Sequence, residues 1–258
     1  SIPGAWVQDA RRASLRAATG DDAPGILAAY ERAADRSNGF MVRPSGLWER
    51  RFLDERRSWF VLGEGTDVKG YIVWTLAQDE IHAATRLQVL DLIADNDADR
   101  RVLLGLVGAQ RDQVATFSLH LDATDPIDRP LVDSDAYRHG DASVEHGLGD
   151  IVGGPLVRVH DPVRAAAARG WSRDGSLVVE VGARRLRIEA RDGKATVTTS
   201  TEAPDVLVDE AAFAALLFGG LSPVDASRMG VLEPRDAAAL ARAEALLALP
   251  PFFTLDWF

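Results

Sequence analysis

Not one cysteine occurs in the 258 residues of this chain. That absence excludes disulfides, thiolate metal sites and a cysteine nucleophile. No apolar run approaches the ~20 residues needed to cross a bilayer, so no membrane partner is expected. The first residues, Ser1-Ile2-Pro3-Gly4, carry neither the positive region nor the apolar stretch of a signal peptide, and the cytoplasm is the simplest expected location. Positive charge is also in short supply, with 29 Lys and Arg against 39 Asp and Glu and a formal net charge of −10. Nucleic-acid binding needs a basic footprint, and none is visible. An acidic surface steers cations and polyamines toward the protein, or simply keeps it soluble. The histidines, at 82, 120, 139, 146 and 160, show no metal-ligand spacing; the nearest approach is His139 and His146 beside Glu145, and no metal is expected. Serine, histidine and aspartate are all present, but no nucleophile elbow accompanies them.

What is present suits an ordinary globular chain, with 47% hydrophobic and 26% charged residues, long enough for two cores. The abundance of Ala, Arg, Asp and Gly points to a high-GC bacterial genome. Asp21 or Asp22 with Pro24 starts a helix. Ile26, Leu27, Tyr30 and Ala33-Ala34 continue it at helical spacing, and Gly39 ends it. A second helix runs from Ser45 through Trp48 and Phe52. Trp59 to Glu64 and Lys69 to Leu76 flank Gly65-Thr66-Asp67 as a hairpin. Arg86 to Ala94 reads as a strand with alternating apolar residues, Asp97 to about Gln113 as a helix, and Val114 to Leu121 as a strand. This order is α/β with a crossover helix. Gly147-Leu148-Gly149-Asp150-Ile151-Val152-Gly153-Gly154 follows no clear strand and opens no helix, so it reads as a linker and not as a dinucleotide fingerprint. Beyond it, Leu156 to His160 reads as a short strand, and Asp161-Pro162 opens a helix that Gly170 ends. Strands follow at Ser176 to Val181, Leu186 to Ala190 and Ala195 to Thr199. Helices run from Asp209 to Phe218 and from Pro234 to Leu249.

Several segments carry a resemblance. In the first half these are Ser37-Asn38-Gly39-Phe40-Met41-Val42-Arg43 with Trp48, and Gly70-Tyr71-Ile72-Val73. In the second they are Gly153-Gly154-Pro155-Leu156-Val157-Arg158-Val159, Asp205-Val206-Leu207-Val208-Asp209-Glu210-Ala211-Ala212-Phe213 and Leu216-Leu217-Phe218-Gly219. The first half resembles a GNAT acetyltransferase domain, the second a sterol-carrier-type domain. The pair, ending on an aromatic residue, resembles the Eis-type (enhanced intracellular survival) N-acetyltransferases. The resemblance implies an α/β (α+β) fold with a degenerate GNAT-like domain over 1–150 and a sterol-carrier-like domain over 151–258. It implies a second, cofactor-holding GNAT domain ahead of these two, acetyl-CoA as that domain's cofactor, cationic amines such as aminoglycosides or lysine-like amines as substrates, and a homo-oligomer, trimer or hexamer. The chain is expected to match the second and third domains only, to hold no cofactor and to be inert alone. Its own candidate pyrophosphate loop, Asp95-Asn96-Asp97-Ala98-Asp99-Arg100, agrees: it has no glycine and three carboxylates, which suit a helix cap and repel a diphosphate.

The tail is unusual. Four of the last seven residues, Phe252, Phe253, Trp257 and Phe258, are aromatic, whereas chain ends ordinarily fray and turn polar. A terminus this apolar is expected to dock, carrying its α-carboxylate into a shielded place. In the resembled family that carboxylate is the general base, which assigns the role here to Phe258, with Asp256 and Trp257 as substrate-binding candidates. A free α-carboxyl ionises at about 3.3–3.7, too low for a good base at neutral pH; burial beside Phe252, Phe253 and Trp257 would raise it. The plain alternative is a tail that seals a core. From other classes, the chain could be a lipid- or sterol-carrier module with Phe213, Leu217, Phe218 and Leu246 lining a tunnel, or a non-catalytic interaction protein.

Overall fold

The computed structural model describes residues 2–78, 85–122, 124–130, 137–139, 143–145 and 156–256. Contacts divide the chain into two units, Ser1–Val152 together with the tail from Thr254, and Gly153–Phe253. Both are mixed α/β.

The first unit runs α1 (Gly4–Val7), β1 (Leu15–Ala17), α2 (Ala23–Arg36), α3 (Ser45–Leu53), β2 (Ser58–Glu64), β3 (Asp67–Gln78), β4 (Thr85–Ala94), α4 (Asp97–Gly108) and β5 (Thr116–Ser118), with a small pair β6 (Tyr137–His139) and β7 (Ser143–Glu145). Strands β1 to β5 lie in sequence order in one sheet, antiparallel except for the parallel β4–β5 pair. Thr19 and Asp22 form a capping box ahead of α2, and Ile26, Ala29, Tyr30 and Ala33 are buried at i, i+3, i+4 and i+7, so one stripe of α2 faces the sheet. Gly39 takes φ 106° just beyond the helix end, which a side chain resists.

Strand β4 departs from simple alternation. Val73 of β3 pairs with Asp91 but its neighbour Trp74 pairs with Val89, leaving Leu90 as the extra residue of a bulge. Before the bulge, Leu87 and Val89 pack with α4 and Trp74. After it, Ile93 packs with α2, Tyr71 and Val73 on the opposite face. The bulge thus re-aims Asp91 toward α2 and α3.

The second unit runs α5 (Pro162–Ala168), β8 (Gly175–Val181), β9 (Arg184–Arg191), β10 (Lys194–Thr199), β11 (Val206–Val208), α6 (Glu210–Leu217), α7 (Pro223–Arg228), β12 (Leu232–Pro234) and α8 (Ala237–Leu247). The sheet order is β10-β9-β8-β11-β12, with β8–β11 parallel. Asp192 and Gly193 both take positive φ, 51° and 80°, the two-residue turn whose twist matches its strands. Phe213, Leu216 and Leu217 of α6 share one core with Leu177, Val179, Leu186, Ile188 and Leu246. Asp205 ties that unit's sheet to α8: its carboxylate accepts from Val178 N (2.9 Å), Arg242 (2.6 Å) and Arg235 (3.0 Å). Burial alone would raise its pKa, but these donors hold it below the ordinary carboxylate value.

Several elements differ from the sequence expectation. Helix α4 stops at Gly108 rather than near Gln113, because Gln110 N–H turns back to Val107 O in a tighter bond. Strand β5 is three residues long. Leu156 to His160 forms no strand. The last helix starts at Ala237, capped by the Asp236 side chain on Ala239 N (2.7 Å), while Pro234 pairs with Val206 on the edge strand β12. Among the described residues no helix is long and apolar enough to cross a membrane.

Candidate functional site

The first unit buries four ionised side chains in one cluster. Arg43, just ahead of α3, is wholly buried, as is Asp91 from the bulge of β4; Arg51 of α3 and Asp256 of the tail are nearly so. Arg43 donates to Asp91 through Nη1 (2.6 Å) and Nη2 (3.0 Å), and through Nε to both oxygens of Asp256 (3.1 and 3.0 Å). Arg51 donates to Asp256 through Nη2 (2.6 Å) and to Asp91 through Nη1 (3.2 and 3.3 Å). Tyr30 OH donates to Met41 O (2.8 Å) and stands 3.3 Å from Asp256; Tyr71 OH stands 3.3 Å from Asp91. Two cations against two anions leave the cluster neutral, the condition under which charges survive burial.

Aromatic rings enclose the cluster. The Arg43 guanidinium lies 4.1 Å over the Tyr30 ring and 5.0 Å from Trp48, a planar cation on π faces. Trp48, Phe52, Trp59 and Tyr71 continue as successive ring contacts. Burial pushes the Tyr30 hydroxyl up to about 12 and holds that of Tyr71 well above its ordinary value. For Arg43 burial works against the charged form, but hydrogen bonds to Asp91 outweigh it and the pKa rises.

Of the sequence candidates, Trp257 and Phe258 lie outside the described residues. Asp256 is 8% exposed, and its oxygens are taken by two guanidinium groups. That occupation offsets the charge of the carboxylate that the sequence offered for attraction of an amine. Thr254 is also buried, its Oγ1 accepting from Asp256 N (3.2 Å), and Leu255 packs against the core of α2 and β3. Sequence reasoning missed Arg43, Arg51 and Asp91 as site residues. Asp91 was the available signal, a carboxylate inside the apolar run of β4.

The N-terminus of α4, where a GNAT domain would grip a diphosphate, is taken by the chain's own groups. Asn96 Oδ1 accepts from Asp99 N (3.0 Å) and its amide donates to Asp99 (2.7 Å). Arg11 bonds Ala98 O (2.9 Å) and Asp99 (3.4 Å), Arg32 pairs with Asp95, and Arg100 with Asp125. An incoming diphosphate would meet the Asp97 and Asp99 carboxylates and find one of the helix's free N–H groups already bonded. These residues do not fit acetyl-CoA at this place.

In the second unit, Arg158, His160, Val181, Arg184, Glu210 and Phe213 line a surface cavity of about 140 Å³, smaller than the ~300–1,000 Å³ of sites for drug-sized ligands. Phe213, Leu217 and Leu246 are core residues, while Phe218 is partly exposed. His82 and His146, and the glycine-rich stretch up to residue 155, lie outside the described residues. Among the described residues no group of three His, Asp or Glu is placed to hold a metal.

Residues 39–159 match the family described as the acetyltransferase (GNAT) domain, and residues 163–254 match the sterol carrier protein domain. No curated protein matches the sequence. Among solved structures, a GCN5-related N-acetyltransferase from Anabaena variabilis is similar at TM-score 0.74 and 18% identity, over 95% of this chain and 62% of that one. One from Kribbella flavida is similar at 0.70 and 22%, over 98% and 62%. Eis1 from Mycobacterium abscessus is similar at 0.67 and 23%, over 96% and 63%. The chain thus spans less than two thirds of the length of each.

Proposed function

From a chain that carries a GNAT acetyltransferase domain followed by a sterol-carrier-like domain, in the fold order of the Eis-like proteins, we propose a share in the acetyl-CoA-dependent N-acetylation of cationic amines. In this reading the chain supplies the general base and a part outside its two domains holds the cofactor, so the chain alone is inert. Aminoglycosides or lysine-like amines are the substrate class, and the working protein is a cytoplasmic homo-oligomer.

The base is the α-carboxylate of Phe258. It accepts a proton from the substrate ammonium and leaves a neutral amine whose lone pair is free to attack, a service typically worth ~10²–10⁴-fold in rate. The acidic balance of the chain supports a cationic substrate by long-range attraction. The observation that carries the reading is the burial of Asp256 between Arg43 and Arg51, only two residues ahead of Phe258. Covalent geometry then confines the Phe258 Cα to within about 7 Å of the Asp256 Cα.

Two measurements test the reading. Isothermal titration of this chain with acetyl-CoA should show no stoichiometric sub-millimolar binding; such binding would mean that the cofactor site lies within the chain. In the chain joined to the cofactor-holding GNAT domain that the resemblance implies, appending one Gly after Phe258 moves the carboxylate by about 3.3–3.6 Å. Turnover of an aminoglycoside should be lost, with acetyl-CoA affinity kept. Unaltered turnover would leave Phe258 as a packing residue.

A further inference from the structure

We propose that Asp256 is a positioning residue, the peg by which the Arg43–Arg51–Asp91 cluster sets the register of the tail and so places the Phe258 α-carboxylate. The inference rests on the assignment of that carboxylate as the base, made above.

Sealing a core does not require a charge. Leu255 already packs against the α2 and β3 core, and an apolar residue at 256 would fill the same space without desolvating a carboxylate. Buried ion pairs are a poor source of stability, and their best-attested use is to specify register. The geometry here suits that use. Asp256 is gripped on both oxygens, by Arg43 Nε and Arg51 Nη2 on Oδ1 and by Arg43 Nε on Oδ2. One N–H from each of two guanidinium groups holds the Asp256 carboxylate, while the Arg43 fork closes on Asp91. The arginines are themselves held by Asp91, and the bulge at Leu90 aims Asp91 at them. Orientation therefore passes from the sheet to two arginines and then to Asp256, two residues before the chain end. A slip of one residue along the tail would move the carboxylate by about 3.3–3.6 Å, whereas misplacement by about 1 Å can cost 10²-fold in rate. A tail held by apolar contacts alone could slide by such a step; a peg in a charged socket cannot.

The first test uses the chain itself. Carboxypeptidase release of Phe258, followed by intact mass, should be slow in the parent protein. It should be roughly tenfold or more faster in Asp256→Glu and in Arg51→Lys, which keep every charge, with hydrogen exchange at Ile72 and Leu104 unchanged. Release equally slow in the variants with the core intact would overturn the proposal, as would parent release as fast as from the urea-unfolded chain. The second test uses the chain joined to a cofactor-holding GNAT domain. Asp256→Glu, with the charge kept and the peg lengthened, should lower kcat while the KM for acetyl-CoA stays put. If kcat is unchanged by Asp256→Glu yet lost on appending Gly, the base assignment stands and positioning by Asp256 falls. If appending Gly changes nothing, the base assignment falls and takes with it the catalytic purpose of the peg, while the release rates still report whether Asp256 sets the tail.

Discussion

Replacing Asp256 by alanine removes one of two anions from a cluster that holds two cations. Arg43, wholly buried, and Arg51, with 14% of its side chain exposed, would then share the single carboxylate of Asp91 and leave one uncompensated positive charge. Breaking a buried pair in this way typically costs about 3–5 kcal/mol. The partial exposure of Arg51 lets water take some of the charge, so we expect the low end, about 3 kcal/mol. An exposed pair such as Lys69 with Asp67, 52% and 77% exposed, should change little under the same operation. Urea unfolding followed by tryptophan fluorescence in a Trp171→Phe background reports the first unit, because Trp6, Trp48, Trp59 and Trp74 lie in it and Trp171 lies in the second. With slopes of about 1–3 kcal/mol/M, the midpoint should fall by about 1–3 M at unchanged slope. Arg51→Met combined with Asp256→Ala leaves the neutral Arg43–Asp91 pair. The double variant should therefore lose less than the sum of its singles, with a coupling of at least about 1 kcal/mol. A single variant within about 0.5 kcal/mol of the parent would refute the reasoning, because that is the range of ordinary surface changes.

Alkaline pH should loosen the same region. Burial raises the Tyr30 hydroxyl to about 12 from 10.0, so its contribution is complete below pH 10 and disappears as pH climbs from 10 toward 12; a loss of stability across that window that is smaller in Tyr30→Phe checks it. Gly105→Ala should detach the N-terminal arm, since a Cβ there would strike the Trp6 carbonyl. Helix propensity returns up to ~1 kcal/mol against ~1–3 for overpacking, so the expected net change is a loss, read as faster hydrogen exchange at Trp6 and Gln8.

How much of the site could be read in advance depended on the range of the interactions. The acidic first turn of α4 was legible, but its cap was assigned to the carboxylates, whereas Asn96 Oδ1 accepts from Asp99 N three residues on. The tail was legible as something that docks, from its aromatic content. The use of Asp256 was not, because its partners Arg43 and Arg51 lie 213 and 205 residues away and no local pattern links them. Asp91 looked like one polar residue in an alternating strand, and only the pairing of β3 with β4 shows the bulge that turns it.

By itself the sequence determined what short-range physics controls: the capped start and apolar stripe of α2, the glycine-bearing hairpins, the order of the elements, and so the GNAT and sterol-carrier-like fold. Tertiary structure alone decided where short elements such as β11, α7 and β12 form, where α4 stops, and which charges become buried partners. The reason is energetic. A helix or tight turn draws its preference from neighbours a few residues away, whereas an ionised carboxylate tolerates burial only when cations from distant segments are brought to it. For Asp256, which the sequence offered as a substrate-binding candidate, the fold supplies them in Arg43 and Arg51.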